Sequence, residues 1–196
     1  LISLALTFFT LVSCDMGTYE TDEVMISWEI DSGEVTFGLV INKDTYNDYD
    51  WFGFGLNADG HEMDGADLWI YTKSTEKVTD RVGIANAYPN LDTDSGGTND
   101  VVTLTSAYDD DGNFAVSFSR DLDTGDSDDV ELVEGETYHI LWAYGKVSGG
   151  NYMQHDEDDT GHEEIDFTND YSGDDDSAYY FTGAFSLICA ALHLAN

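Results

Sequence analysis

Apolar side chains recur at every second position along this chain, in short bursts, and that spacing constrains its fold more than any other feature. Val24, Ile26, Trp28 and Ile30 alternate with Met25, Ser27 and Glu29; Val35, Phe37, Leu39 and Ile41 repeat the pattern. Phe114, Val116 and Phe118 form a third set, and Tyr138, Ile140, Trp142 and Tyr144 a fourth. A period of two places all members of a set on one face of an extended strand, so each burst reads as a half-buried β-strand. Further strands are expected at Trp51–Leu56, Asp67–Tyr71, Val78–Ile84, Val101–Tyr108 and Glu164–Phe167. Turn formers separate them: Asp31-Ser32-Gly33, Asp109-Asp110-Asp111-Gly112-Asn113, Glu134-Gly135 and Ser148-Gly149-Gly150. The polar, Gly-rich stretch Asn90–Asn99 reads as an exposed loop. No helical period stands out between the termini, and no internal repeat is visible. Many short strands joined by turns predict an all-β fold, an antiparallel immunoglobulin-like β-sandwich.

The 196 residues suffice for one domain with a real core. Six basic residues stand against 41 acidic ones, a formal net charge of −35. Such a body repels nucleic acid and anionic lipid and attracts divalent cations. A salty or calcium-rich extracellular medium would screen its self-repulsion. An aromatic content of 13% and the regular alternation argue against disorder.

All formal charge lies between Asp15 and Asp176, which sets the ends apart. Residues 1–14 read as the apolar part of a secretory signal; a buried first strand is the rival. Leu11-Val12-Ser13-Cys14 also resembles a bacterial lipobox. Residues 15–171 form the expected sandwich. Residues 172–196 combine a polar spacer with an apolar tail, read as a GPI-attachment signal, a membrane anchor or a last strand over 178–185. A secreted or cell-surface location follows, with GPI or lipid anchoring as an option. Cys14 and Cys189 lie within the two ends; their pairing stays open, and without a CxxC neither a zinc site of that type nor covalent haem attachment is supported.

Met63 and His155 are the first candidates for chemistry, because thioether and imidazole are recurrent axial ligands of electron-transferring haem iron. Met63 is an apolar side chain in the polar loop His61-Glu62-Met63-Asp64-Gly65, and it either packs under the loop or faces a ligand. His61, two positions earlier, could replace it. His155 precedes an acidic run and reads otherwise as a surface histidine. Asp67 reads as a cap for turn amides, with a cation site or a ligand-orienting role as the functional alternative. Arg120 is expected to pair with a carboxylate of the Asp121–Asp129 loop, a haem propionate being the other partner considered. Asp109, Asp111 and Asn113 have the odd-position spacing of a calcium loop but lack its downstream Glu and flanking helices. Asp121, Asp123, Asp126 and Asp128 form a looser calcium candidate. No nucleophile elbow, HExxH or phosphate loop is present, so no catalytic site of the chain's own is expected.

Seven pieces in order resemble the DOMON domain, the β-sandwich module named after dopamine β-monooxygenase. They are Ile26-Ser27-Trp28-Glu29-Ile30; Val35-Thr36-Phe37-Gly38-Leu39; Trp51-Phe52-Gly53-Phe54-Gly55-Leu56; Met63-Asp64-Gly65-Ala66-Asp67-Leu68-Trp69-Ile70; Phe118-Ser119-Arg120-Asp121-Leu122-Asp123-Thr124-Gly125-Asp126; Ile140-Leu141-Trp142-Ala143-Tyr144-Gly145; and His155 with Gly161. The resemblance covers residues 24–167 and implies an extracytoplasmic domain that binds haem b or a sugar-like ligand. In the cytochrome members a Met before the Gly-Ala-Asp strand and a His after the Trp-Ala strand hold the iron, which maps onto Met63 and His155. The chain departs from the pattern near the His: Tyr152 stands three positions before it, and Thr160-Gly161 replaces Arg-Gly. Met153 and His162 therefore remain alternative ligands.

The resemblance thus implies one haem b and single-electron exchange with a redox partner protein or a small-molecule donor or acceptor. The alternative is a non-redox module that binds glycan or calcium, or contacts surface-coat proteins. A cleft edged by aromatics such as Trp51, Trp69 and Tyr152 could take a glycan, and exposed Trp there would favour that form.

Overall fold

The computed structural model describes residues 16–85 and 87–172. In chain order the strands are β1 (Gly17–Glu20), β2 (Val24–Asp31), β3 (Glu34–Ile41), β4 (Trp51–Asn57), β5 (Asp67–Thr72), β6 (Lys77–Val82), β7 (Asn90–Leu91), β8 (Val102–Tyr108), β9 (Phe114–Asp121), β10 (Thr137–Gly145), β11 (Val147–Ser148), β12 (Asn151–Tyr152) and β13 (Thr160–Asp166). Two short helices interrupt them, α1 (Lys43–Asp48) and α2 (Asp92–Ser95). The signal, lipobox, anchor and last-strand expectations, with both cysteines, lie outside the described residues.

Two antiparallel sheets face each other. One has the order β1-β2-β3-β9-β8 and the other β13-β10-β4-β5-β6-β7, with β11 and β12 forming a separate ribbon. The chain is therefore the β-sandwich that the alternation predicts. Ser32 and Gly33 both have positive φ, 53° and 92°, which makes the β2–β3 link a two-residue turn matched to strand twist. The core is aromatic. Phe37 from the first sheet meets Trp69 at 4.7 Å, Phe54 at 5.3 Å and Phe118 at 5.5 Å between ring centroids. At one end α1 inserts Tyr46 between Phe52 and Phe114, at 5.5 and 4.4 Å. Asn42 caps that helix by accepting the Asp44 N–H at 2.9 Å.

The expected strands are present with shifted ends. The last one begins at Thr160, four residues before the predicted start, because backbone pairing of Ala143 to Thr160 and Leu141 to His162 extends it where its side chains are polar. The Asn90–Asn99 stretch is more ordered than a loop. It carries β7 and α2, and Asp92 within it is only 1% exposed.

Candidate functional site

Alternation gives the six-stranded sheet two different faces. Phe52, Phe54, Trp69, Tyr71, Ile140 and Tyr144 belong to the core between the sheets. Their neighbours Gly53, Leu68, Ile70, Leu141 and Ala143 consequently face outwards. These five residues floor a cavity of about 1030 Å³, at the upper end of the ~300–1,000 Å³ typical of ligand pockets. The floor is flat where β4 carries Gly53 and no side chain stands up from the sheet. A Cβ on Gly53 would lie 3.2 Å from Ile70 Cγ1.

The walls come from loops that are far apart in sequence. Met63 and His155 both line this cavity, as do Met153, His61 and His162. All the residues considered as iron ligands thus border one space. The Met63 loop is pinned from beneath: Asn57 Nδ2 donates to the Glu62 carbonyl at 2.8 Å and to the Asp64 carbonyl at 3.2 Å. Gly65 N–H donates to Gly83 O at 3.1 Å, and Gly83 N–H to Ala66 O at 2.8 Å. A Cβ at position 83 would collide with the Met63 carbonyl oxygen, so glycine is required there. Neither Asn57 nor Gly83 stood out in the sequence, because their partners are loop carbonyls without a local signature.

His155 is partly buried, with Nδ1 3.2 Å from the Asp156 carbonyl. When Nδ1 is the donor, Nε2 keeps its lone pair for a ligand. Trp51 meets its ring edge-on at 6.5 Å. The Trp51 indole N–H is buried without a protein partner, a donor left over on a cavity wall. His61 and His162 stack at 4.5 Å on the rim. The far wall is an aromatic pair, Tyr88 on Tyr152 at 4.8 Å, backed by the Arg81 guanidinium 4.9 Å from the Tyr88 ring. Tyr152 is fixed by its hydroxyl contact with Thr72 Oγ1 at 2.7 Å.

A second polar cluster lies on the inner face of the same strands. Asp67, Asp80 and Asp129 bring carboxylate oxygens within 4.8 Å of one another. Arg120 is buried against them: Nη1 pairs with Asp67, and Nη2 lies 3.9 Å from Asp129. Asp129 is a carboxylate of the loop expected to pair with Arg120, and Asp67, from outside that loop, pairs with it more closely. Asp67 does not cap its own turn. Its carboxylate takes the Arg120 guanidinium and, at 3.3 Å, the Val130 N–H from across the sandwich. Burial pushes the Asp67 carboxyl well above its ordinary range, against the opposing pull of Arg120. Burial likewise raises Asp80 to about 6, although the Asp100 N–H at 2.8 Å stabilises its charged form. Asp92 rises to about 8 through burial and the neighbouring Asp80 and Asp129 carboxylates. Asp80, Asp92 and Asp129 were not singled out from the sequence. Only Asp80 left a trace, since it falls in phase with Val78 and Val82 on the buried face of its strand.

Three of the acidic side chains read as calcium candidates accept backbone N–H groups. The Asp109 carboxylate accepts the Asp111 N–H at 3.0 Å and the Asn113 N–H at 2.8 Å, closing the β8–β9 hairpin. Asp123 accepts the Gly125 N–H at 3.0 Å. Asp126 accepts from Asp128 at 3.0 Å and Thr98 at 2.6 Å, and these bonds lower its pKa. Asp121 is exposed at the end of β9. Among the described residues, the group whose oxygens converge as a metal set would is Asp67, Asp80 and Asp129.

Comparison with known proteins places this architecture. The cytochrome domain of Myriococcum thermophilum cellobiose dehydrogenase superposes with a TM-score of 0.55 at 14% identity, covering 90% of this chain and 88% of that one. At that identity the likeness is one of fold. Among curated protein sequences no relative matches. The model of the DOMON domain matches residues 20–145, and the chain belongs to the DOMON domain family.

Proposed function

We propose that this domain binds haem b in the outer-face cavity and passes single electrons to and from a partner outside the cytoplasm. The observation that carries the reading is the convergence of Met63 and His155 on one cavity of about 1030 Å³. Their donor atoms fit the group: thioether sulfur and neutral imidazole nitrogen are both established ligands of haem iron. The apolar floor of Gly53, Leu68 and Ala143, with the unpartnered Trp51 N–H on the wall, would also suit a large apolar group with polar edges. Bound haem would supply reversible one-electron chemistry at its iron.

The chain's own residues do the rest. Asn57 and Gly83 hold the Met63 loop, the Asp156 carbonyl orients the His155 ring, and Leu68, Ile70 and Leu141 keep water from the floor. Met153, His61 and His162 border the same space and are the substitute ligands. A net charge of −35 favours a redox partner with a cationic contact surface. The glycan reading is weaker: Trp69 is 1% exposed in the core and Trp51 only 7%, so neither offers an open stacking platform.

The test is optical. Purified protein is titrated with haemin, and the Soret band is followed in wild type, Met63→Ala and His155→Ala. Uptake of one haem per chain, with a displaced band in each variant, supports the assignment. A protein that takes up no haemin, or bands indifferent to both substitutions, would overturn it.

A further inference from the structure

We propose that Asp67, Asp80 and Asp129, with Asp92 beside them, form a buried site for one divalent cation of the calcium type, distinct from the outer-face cavity. The warrant is a set of buried oxygens that no protein group satisfies. Asp67 Oδ1, Asp80 Oδ1, Asp129 Oδ1 and both carboxylate oxygens of Asp92 have no hydrogen-bond partner, and Asp67, Asp80 and Asp92 are each at most 2% exposed. Buried carboxylate oxygens left unpaired are among the costliest features a fold can contain. Each of the second oxygens is already used: Asp67 Oδ2 by Arg120, Asp80 Oδ2 by the Asp100 N–H, and Asp129 Oδ2 by Thr124 Oγ1 at 2.7 Å. Each carboxylate is thus held by one oxygen while the other stays buried and unpaired.

Charge and size agree with a single ion. The three converging carboxylates, Asp92 not being one of them, less the Arg120 guanidinium leave two negative charges, which one divalent cation neutralises. Calcium–oxygen distances of ~2.3–2.6 Å allow two ligands of one ion to lie up to about 5 Å apart. The three carboxylate oxygens fall within 4.8 Å of one another. The donor set is oxygen alone, without His or Cys, which disfavours zinc, copper and nickel. Magnesium holds on to several waters and demands strict octahedral geometry, so a buried carboxylate nest suits calcium better.

The site has a structural reach. Asp80 lies within β6 and Asp92 opens α2, so the two carboxylates flank the stretch of chain that carries Ala85, Ala87, Tyr88 and Pro89 of the cavity wall. Asp129 ties in the loop after β9. A cation here would fasten that wall and that loop to β5.

The experiment uses the full chain, stripped with EDTA and desalted. Bound calcium is measured by competition with a chromophoric chelator, and melting is compared in calcium and magnesium at equal ionic strength. One calcium per chain should bind at least tenfold tighter than the remainder, and calcium should raise the melting temperature more than magnesium. Asp80→Asn and Asp129→Asn should each lose the tight ion, while Asp109→Asn and Asp126→Asn keep it. Terbium offers a readout in the wild-type fold. Trp69, whose ring lies 5.8 Å from the Arg120 guanidinium, should sensitise its emission, and Trp69→Phe should abolish the signal. The proposal is overturned by the absence of a tight ion, by a tight ion that survives both nest variants, or by terbium emission indifferent to Trp69→Phe. Equal stabilisation by calcium and magnesium in every variant would point to bulk screening and overturn it as well.

Discussion

The two faces of β4, β5 and β6 carry opposite chemistry one residue apart. Outwards, Leu68 and Ile70 join Gly53 to make an apolar floor, and loops supply the thioether of Met63 and the imidazole of His155. Inwards, Asp67 and Asp80 join Arg120 and Asp129 in a charged nest closed to solvent. A pleated strand separates such environments at no cost in length, since neighbouring side chains point to opposite faces. The cavity is assembled from loops on a strand floor, the usual setting for a binding site. The nest is assembled from strand and loop backbone locked by hydrogen bonds, which suits permanence. The candidate binding cavity and the buried nest thus lie on different faces, so single substitutions can address one set of side chains without touching the other.

Four experiments sharpen or break that separation. The largest effect is expected from Arg120→Met, which strands Asp67 in the interior. Breaking a buried pair from one side costs about 3–5 kcal/mol, read by urea denaturation, and the folded fraction should still take up haemin. Loss of haemin uptake without loss of stability would contradict the division of roles.

The second perturbation is pH, applied to the cation-stripped protein. Asp80 at about 6 and Asp92 at about 8 lie above the ordinary ~3.9 of an unfolded Asp. The folded state therefore holds protons more tightly than the unfolded chain. Its advantage is complete below about pH 4 and is lost as pH rises through 6 and then 8. Denaturation midpoints in EDTA should fall between pH 5 and pH 8.5, more steeply in wild type than in Asp80→Asn, and added calcium should flatten the slope. A midpoint that climbs over this range would break the picture of a nest without internal compensation.

A smaller change is expected on the outer face. His155→Ala should weaken haemin binding about tenfold or more, ~1.4 kcal/mol, with unfolding free energy altered by less than about 0.5 kcal/mol. Equal losses in binding and stability would show that the His155 segment is structural. The smallest effect belongs to Asp109→Ala. It removes the acceptor of two turn N–H groups at the β8–β9 hairpin and should cost about 1 kcal/mol in melting assays, leaving calcium and haemin titrations unchanged.

Short elements escaped the reading of the sequence for one reason. β1, β7, α1 and the β11–β12 ribbon are too brief to display a period, and each exists because an existing strand or core offers it a partner. α1 follows Asn42, a good cap, yet its six residues place only Tyr46 in the core. The candidate iron ligands could be named from residue chemistry and family order, but their meeting could not: residue 63 and residue 155 stand on loops whose approach is set by the β4–β10 pairing. The nest was less visible still. Asp129 and Asp92 look like any other acids in a chain with 41 of them, and only closure of the sandwich distinguishes the buried ones.

The sequence by itself determined the longer strands, the two faces of each and the choice of an antiparallel sandwich, because a side-chain period of two is a local property of extended backbone. It also placed small residues, Gly53 and Ala143, where a flat outward floor would form. Tertiary structure alone decided which loops wall that floor, that Arg120 reaches Asp67 across the core, and that Asp80, Asp92 and Asp129 gather around it. Those outcomes depend on contacts between residues tens of positions apart, and desolvation acts on a carboxylate only after the two sheets have closed over it.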